Sequence, residues 1–500
     1  MDKLMYLKSG TDIRGTAIEK DGRPVDLTDE RLVKIVSAYV DFLKCKLSKN
    51  DLSIAVGYDS RVSSTRIAGT VCSALSTLGV RVYDCGLSST PSMFMSVINF
   101  GVDSAVEITA SHLPMEMNGL KFFTREGGFS GDDIKSVLSA AERVESPISL
   151  ENKGVSALPN MEKYCDNLCE MIKKGVNAED YDLPLKGLKI VVDAGNGVGA
   201  FYAESVLKIL GADTDGSRYL DPDGTFPNHI PNPENKVAMQ SICEAVAESG
   251  ADLGVIFDTD CDRAACVDET ASEINRNKLV ALAAYIALKG NDGGTIVTDS
   301  VTSDGLNKFI ENDLGGVHHR FKRGYKNVID EAVRLQNEEG KNAPLAIETS
   351  GHAAFRENYY LDDGAYLVTK IIIEAAKLRR EGKNIGSLIE ALELPLEEKE
   401  VRFTIKLDDF RDYGLGVIAD FKSLCESTDG ITVAHVNHEG IRVNFNKDTG
   451  DGWQLLRMSV HEPLLVLNCE SVSQGGCEKM LGFFKKFITK YEKLDTSKLI

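Results

Sequence analysis

Short apolar runs that stop abruptly at polar loops alternate along most of this chain with stretches whose apolar residues recur every three or four positions. The short runs are rich in Val, Ile and Leu and read as buried strands, and the spaced stretches read as helices that cover them. On this reading a helix spans 28–46, and strands span 52–57, 80–83 and 105–108. Ser63-Ser64 is placed to cap the helix after the first of these strands. Further strands follow at 188–192, 251–257, 294–299 and 344–347, with helices between them, one over 300–309. Strands alternating with helices predict βαβ units and a mostly parallel sheet.

Three units share one grammar. Each opens with a strand, a turn and a helix (IAVGYDS, IVVDAGNG, TIVTDS), and each later carries a buried strand ending in a polar loop (EITASH, IFDTDCDR, IETSGH). This predicts tandem copies of one α/β domain, each lending a loop from a strand's C-terminal end to a shared cleft. From residue 400 the pattern changes. Strands at 401–407, 431–436 and 440–445 come with few helices between them, then GWQLLRMSVHEP, another strand and a closing helix over 475–493. That reads as a smaller α+β domain.

At 500 residues the chain is too long for one core. A formal charge of -19 argues against a nucleic-acid binder, although a few local cations can still hold a small anion. The first residues lack an apolar core of signal-peptide length, and the apolar stretch around 280–288 is too short to span a bilayer. The 11 cysteines are scattered without paired CxxC motifs, so neither a zinc site nor a disulfide framework is indicated. A reduced, cytoplasmic protein is expected.

The loops at the strand ends carry the chemistry. In AVEITASHLPMEMNGLK, Ser111 stands beside His112 just past a buried strand, where it can serve as nucleophile or phosphate carrier. Lys121, beyond an expected Asn118-Gly119 turn, can return to the same cleft as a cation or proton donor. Arg14 lies between glycines in SGTDIRG. Asp258, Asp260 and Asp262 alternate at the end of an apolar strand, where three carboxylates repel one another unless a cation compensates. Hard oxygen ligands favour magnesium or calcium; an EF-hand is rejected because Arg263 stands where that loop needs glycine. Glu348, Ser350 and His352 offer donors and acceptors to sugar hydroxyls. Arg457, Ser459 and His461 alternate, so an extended segment would present them on one face to a phosphate. A rival signal is Asp193-Ala194-Gly195-Asn196-Gly197-Val198-Gly199-Ala200, a strand-GxGxxA pattern with Asp213 and Asp215 beyond it, which fits an NAD-dependent oxidoreductase. No GxxxxGK[ST] loop is present, so an ATP-dependent kinase is not favoured.

Taken together, and in this order, the four loops resemble the α-D-phosphohexomutase superfamily of phosphomannomutase/phosphoglucomutase type, from SGTDIRG to RMSVHEP. The resemblance implies three similar α/β domains with mixed, mostly parallel sheets and a smaller TATA-box-binding-protein-like α+β domain around a central cleft. The expected divisions are 1–155 with the phosphoserine loop, 156–288 with the metal loop, 289–396 with the sugar loop and 397–500 with the phosphate loop. The implied reaction interconverts hexose 1-phosphate and hexose 6-phosphate, of mannose or glucose, through an enzyme phosphoserine and a 1,6-bisphosphate. The alternatives are phosphoglucosamine mutation and a non-catalytic sugar-phosphate-binding homologue. By resemblance Ser111 is the phosphorylated serine, and Asp258, Asp260 and Asp262 hold magnesium with the serine's phosphate as a further ligand. Arg263 closes that loop; Glu348 and Ser350 read sugar hydroxyls; Arg457 and Ser459 grip the distal phosphate, with His461 as a further donor. Arg14, Lys121 and His352 match positions of proton transfer or phosphate stabilisation, and Lys326 matches the third domain's basic loop. The partners implied are a phosphosugar and a hexose 1,6-bisphosphate activator, with no nucleic acid or membrane, in a monomer or homodimer. Leu113, Thr259, Ile347 and Val460-His461 depart from the family's usual residues and bear on substrate choice.

Overall fold

A computed structural model describes residues 3–145, 150, 154–459 and 462–499. The chain divides into two compact units, Met1–Leu279 with Ser350–Leu388 and Val280–Thr349 with Ile389–Ile500.

The first unit holds two mixed sheets. In the N-terminal one, Ser53–Tyr58 lies centrally and runs parallel to Arg81–Leu87 and to Ser104–Ile108. The strand Met117–Thr124 then returns antiparallel beside Ser104–Ile108 and pairs Asp12–Thr16 on its other edge. The helix expected over 28–46 is Asp29–Leu47, capped by Thr28, whose hydroxyl accepts from the Arg31 N–H. Its apolar stripe (Leu32, Ile35, Val36, Tyr39, Leu43) packs into the same core as Ile54, Val56, Val106 and Ile108. In the second sheet Leu253–Phe257 runs parallel to Ile190–Asp193 and antiparallel to Ala264–Asp268. The strand pair Ala353–Phe355 and Leu361–Asp362 and the helix Gly364–Arg380 complete this unit.

In the second unit Thr295–Thr298 is flanked in parallel by Val317–Arg320 and Leu345–Ile347. The tail forms a five-stranded antiparallel sheet in the order Glu397–Thr404, Leu464–Ser471, Gly452–Met458, Ile441–Phe445, Ile431–Val433. Phe421 and Phe484, from the helices Phe410–Glu426 and Gly476–Ile488, meet Phe403 of the sheet in one core. Among the described residues no helix is long and apolar enough to cross a membrane.

Several expected elements differ. Asn118-Gly119 is not a turn but lies inside the strand Met117–Thr124. Gly119 is there because a Cβ would come 2.4 Å from the Ile13 carbonyl oxygen and 2.8 Å from that of Thr109. Ser63 stands at the N-cap of Ser64–Thr77 but makes no capping bond; its hydroxyl accepts from Asn118 instead. The tail is richer in helix than its pattern suggested. Gly414 and Gly416 make FRDYGLGVIADFKSLCE look broken, yet Gly414 is where the helix meets Met458, whose Sδ would lie 2.2 Å from an added Cβ. The helix expected over 300–309 starts late, at Asp304, because Ser303 caps it. No regular α-helix follows Ile190–Asp193 closely; the first regular element there is the π-helical turn Tyr202–Leu207.

Candidate active site

The serine loop is held from behind. Past Ile108 the Thr109 N–H still bonds the Gly119 carbonyl, and the Thr109 hydroxyl accepts from the Ser111 N–H at 2.9 Å. These bonds turn the chain so that Ser111 adopts φ +51°. Arg61, fully buried, donates to the backbone carbonyls of Ser111, Leu113 (2.7 Å), Pro114 (2.8 Å) and Met117 (3.1 Å). Asp59 fixes that guanidinium through Nε at 3.1 Å and is itself held by Ser64. One buried cation thereby gathers the whole loop.

The Ser111 hydroxyl donates to Asp258 Oδ2 at 3.0 Å, lies 3.2 Å from His112 Nδ1, and accepts from Arg263 Nη2 at 3.2 Å. Arg263 also donates from Nε to Asp258 Oδ2 at 3.0 Å. Burial and the charges of Arg263 and Arg14 lower His112 to about 2, so its imidazole is neutral. Arg14 is paired with Asp12 at 2.6 Å, and its charge is among those that lower His112.

The acidic loop begins where the strand Leu253–Phe257 ends. The Asp258 carboxylate accepts from the Arg263 N–H and the Asp260 carbonyl accepts from the Thr90 N–H, so both ends of the loop are pinned. Ligand oxygens of Asp258, Asp260 and Asp262 all lie within 4.8 Å of one another. Asp260 Oδ1 and Asp262 Oδ1 are buried and accept no hydrogen bond among the described residues. Three buried hard oxygens, two of them without a hydrogen bond among the described residues, suit a small divalent cation. Lys121 binds the other oxygens, Asp260 Oδ2 at 2.9 Å and Asp262 Oδ2 at 2.5 Å. Burial, with the neighbouring charge of Asp262, pushes Asp258 up. Burial acts the same way on Asp262, but Lys121, His352 and Arg263 outweigh it and hold that carboxyl well below the usual range.

His352 lies beside this loop, with Nε2 3.8 Å from Asp262 Oδ1 and 3.7 Å from Asp362 Oδ2, and Nδ1 2.8 Å from the Ser350 hydroxyl. Gly364 and Gly351 permit this approach: a Cβ on Gly364 would lie 2.6 Å from the Arg263 carbonyl carbon, and one on Gly351 2.6 Å from the Ala264 oxygen.

Of the glycines in Gly195 to Gly199, Gly197 packs on the acidic loop, Gly199 on the Phe257 ring and Gly195, at φ +53°, on Pro231 and His229. A Cβ on Gly197 would lie 2.7 Å from the Thr259 oxygen, and the Val198 N–H donates to that same oxygen at 2.9 Å. Asp193 is occupied by His229 and Ser241. Asp213 lies against Lys189.

In the second unit, Glu348 is buried at the end of Leu345–Ile347 and accepts from the Gly324 N–H at 2.6 Å. Asp299 accepts from the Thr349 hydroxyl at 2.7 Å; burial raises it to about 6, Arg323 opposing and Glu348 adding to the rise. Arg457, 4% exposed, lies on Gly452–Met458 with Nη1 3.8 Å from Glu439, and its Nε donates to nothing among the described residues. Glu439 accepts from the Ser300 hydroxyl at 2.6 Å and the Arg323 N–H at 3.0 Å. The Ser459 hydroxyl accepts from the Glu462 N–H at 3.4 Å. His461 lies outside the described residues. Lys326 pairs with Asp330 one turn along its own helix, while the charge of Arg323 acts on Asp299.

The first unit therefore brings together Ser111, Lys121, Asp258, Asp260, Asp262, Arg263, Ser350 and His352, and the second holds Glu348, Lys326, Arg457 and Ser459. Asp362 and Glu439 were not singled out in the sequence, and Glu107 was read only as part of the buried strand that leads to Ser111.

Three family models match the chain: phosphoglucomutase/phosphomannomutase alpha/beta/alpha domain I over residues 7–146, domain II over 162–271 and domain III over 275–394. A phosphomannomutase of Salmonella montevideo is 31% identical over 398 residues, covering 78% of this chain and 80% of that protein. A phosphomannomutase/phosphoglucomutase of Pseudomonas syringae pv. tomato is 28% identical over 439 residues, 88% of this chain and 87% of its own. The crystal structure of a phosphoglucomutase/phosphomannomutase family protein from Burkholderia thailandensis superposes with a TM-score of 0.78 at 26% identity, covering 98% of both chains. The protein described here belongs to the phosphoglucomutase/phosphomannomutase family of the α-D-phosphohexomutase superfamily.

Proposed function

We propose that this hexose-phosphate mutase interconverts the 1- and 6-phosphates of mannose, glucose or both, with Ser111 as the phosphoryl carrier. The observation that carries the reading is the placement of the Ser111 hydroxyl against Asp258 and Arg263, at the head of a buried carboxylate cluster. Asp258, Asp260, Asp262 and the serine's phosphate would hold magnesium, which supplies charge neutralisation on the transferring phosphoryl group.

In the forward step a sugar hydroxyl oxygen bonds to the phosphorus and the Oγ–phosphorus bond of Ser111 breaks. Arg263, already on the Ser111 oxygen, stabilises the charge left there. The hydroxyl proton passes to His352 beside the acidic loop, or to Lys121 in its neutral form. The resulting hexose 1,6-bisphosphate returns its other phosphate to Ser111, and as an added activator it would re-phosphorylate a Ser111 that has lost its phosphate to hydrolysis. Glu348 and Ser350 would take sugar hydroxyls, and Arg457 and Ser459 the phosphate that does not react. We retain Lys326 as a weaker binding candidate, since Asp330 engages it, and the four divisions 1–155, 156–288, 289–396 and 397–500.

The test is mass spectrometry of the purified chain together with coupled assays on mannose 1-phosphate, glucose 1-phosphate and glucosamine 1-phosphate. Phosphate is expected on Ser111, and Ser111→Ala should lose on the order of a thousandfold or more in turnover while staying folded. Wild-type turnover by that variant defeats the mechanism. Preference for glucosamine 1-phosphate selects the amino-sugar reading. Binding without turnover, with bisphosphate present, selects a sensor.

A further inference from the structure

Glu107 is the acid that the reaction, as read above, leaves unused. It sits in Ser104–Ile108, every residue of which is buried, and it is the strand's one ionisable side chain. It is 0% exposed, and neither carboxyl oxygen has a hydrogen-bond partner among the described residues. A carboxyl is costly to bury without partners, so a strand otherwise built from Ser, Ala, Val and Ile gains nothing in packing from it. Room is made for it on one side by Gly57, its register partner on the parallel strand, where a Cβ would lie 2.9 Å from Oε2. On the other side its register partner is Lys121. Directly opposed residues of antiparallel strands stand on the same face with Cβ atoms about 5 Å apart, well within a lysine's reach.

The Lys121 ammonium holds Asp260 Oδ2 and Asp262 Oδ2. These belong to the carboxylates read above as magnesium ligands, and an ammonium and a divalent ion repel at that range. An ion that takes those carboxylates through Asp260 Oδ1 and Asp262 Oδ1 competes with the ammonium for their charge, and an ammonium only 5% exposed is costly to leave without a counter-charge. Burial, with the charges of Asp59 and Asp260, raises the Glu107 pKa well above its ordinary value, while Lys121 opposes that rise.

We propose that Glu107 is the receiving carboxyl of a lysine switch: as a divalent cation takes Asp260 and Asp262, Lys121 moves across its strand pair to Glu107, which supplies the ammonium's counter-charge. Glu107 is a positioning residue that acts through Lys121. The proposal rests on the magnesium reading of the acidic loop and names how that site trades one cation for another.

The experiment is calorimetric titration of the full-length protein with magnesium, and with manganese as a second probe, in the absence of any sugar. Glu107→Gln is expected to weaken binding ~10- to 100-fold, the effect of losing an outer partner of a metal site. Lys121→Met removes the competing ammonium and should tighten binding. In the Lys121→Met background Glu107→Gln should change nothing. Glu107→Met repeats the test should Glu107→Gln melt early. Unaltered affinity in Glu107→Gln overturns the proposal, as does equal weakening with and without Lys121. If the wild-type chain binds neither ion, the magnesium reading fails as well, so the two failures are told apart by the parent protein.

Discussion

Arg61 does its work on backbone. Its guanidinium collects the carbonyls of Ser111, Leu113, Pro114 and Met117, and Asp59 keeps it aimed. Lysine retains the charge but has one nitrogen in place of a planar fork. Arg61→Lys is therefore expected to lower kcat about 100-fold through a misplaced hydroxyl, with KM and magnesium affinity nearly unchanged. Steady-state kinetics over a magnesium series check this, and an equal rise in KM would contradict it. The acidic triad was legible because alternation of like charges after an apolar strand demands a cation. Arg61 was not, since its acceptors are peptide carbonyls, which every residue has. Arg323, three residues before Lys326, was not singled out, because its action on Asp299 depends on which residues a turn faces.

Among elements, strands that end in chemistry were the readable part: the apolar runs before Ser111, Asp258 and Glu348 all form strands, with ends within a few residues of expectation. Glycines were harder, because the same residue can stand in a turn, as Gly195 does at φ +53°, or at a close packing point inside a helix, as Gly414 does in Phe410–Glu426. Gly197→Ala should cost about 1–3 kcal/mol in a denaturant melt by pressing on Thr259 in the acidic loop. The loop after Ile190–Asp193 offers a pH test. His229 bonds Asp193 at 3.0 Å and 3.1 Å and the Ile230 carbonyl at 3.1 Å. Burial pulls its pKa down, but Asp193 and that carbonyl outweigh burial, and the net shift is upward. A raised imidazole favours the folded state fully below its unfolded pKa of about 6.5 and loses that advantage as pH climbs through the folded value. The melting-temperature gap between wild type and His229→Gln should accordingly be wider at pH 5.5 than at pH 8.5; a gap that widens with pH reverses the assignment.

For the molecule as a whole, the charge of -19 coexists with a site whose cations are few and buried. Chelation should abolish turnover and added magnesium should restore it, measured by the same coupled assay; full activity after exhaustive chelation would exclude a metal role for the triad. None of the 11 cysteines is bonded, and Cys45 is the exposed one. The family was legible from four short segments in order, whereas the sugar preferred was not: Leu113, Thr259, Ile347 and Val460-His461 depart from the family's usual residues, and such changes carry no motif for one sugar. The left-handed backbone at Ser111, φ +51°, reaches further than local geometry. A β-branched side chain is a genuine outlier there. Threonine would bring the same alcohol with one added methyl, and the main chain alone would bar it, so the family chemistry has only one of the two aliphatic hydroxyl amino acids to choose from at this position.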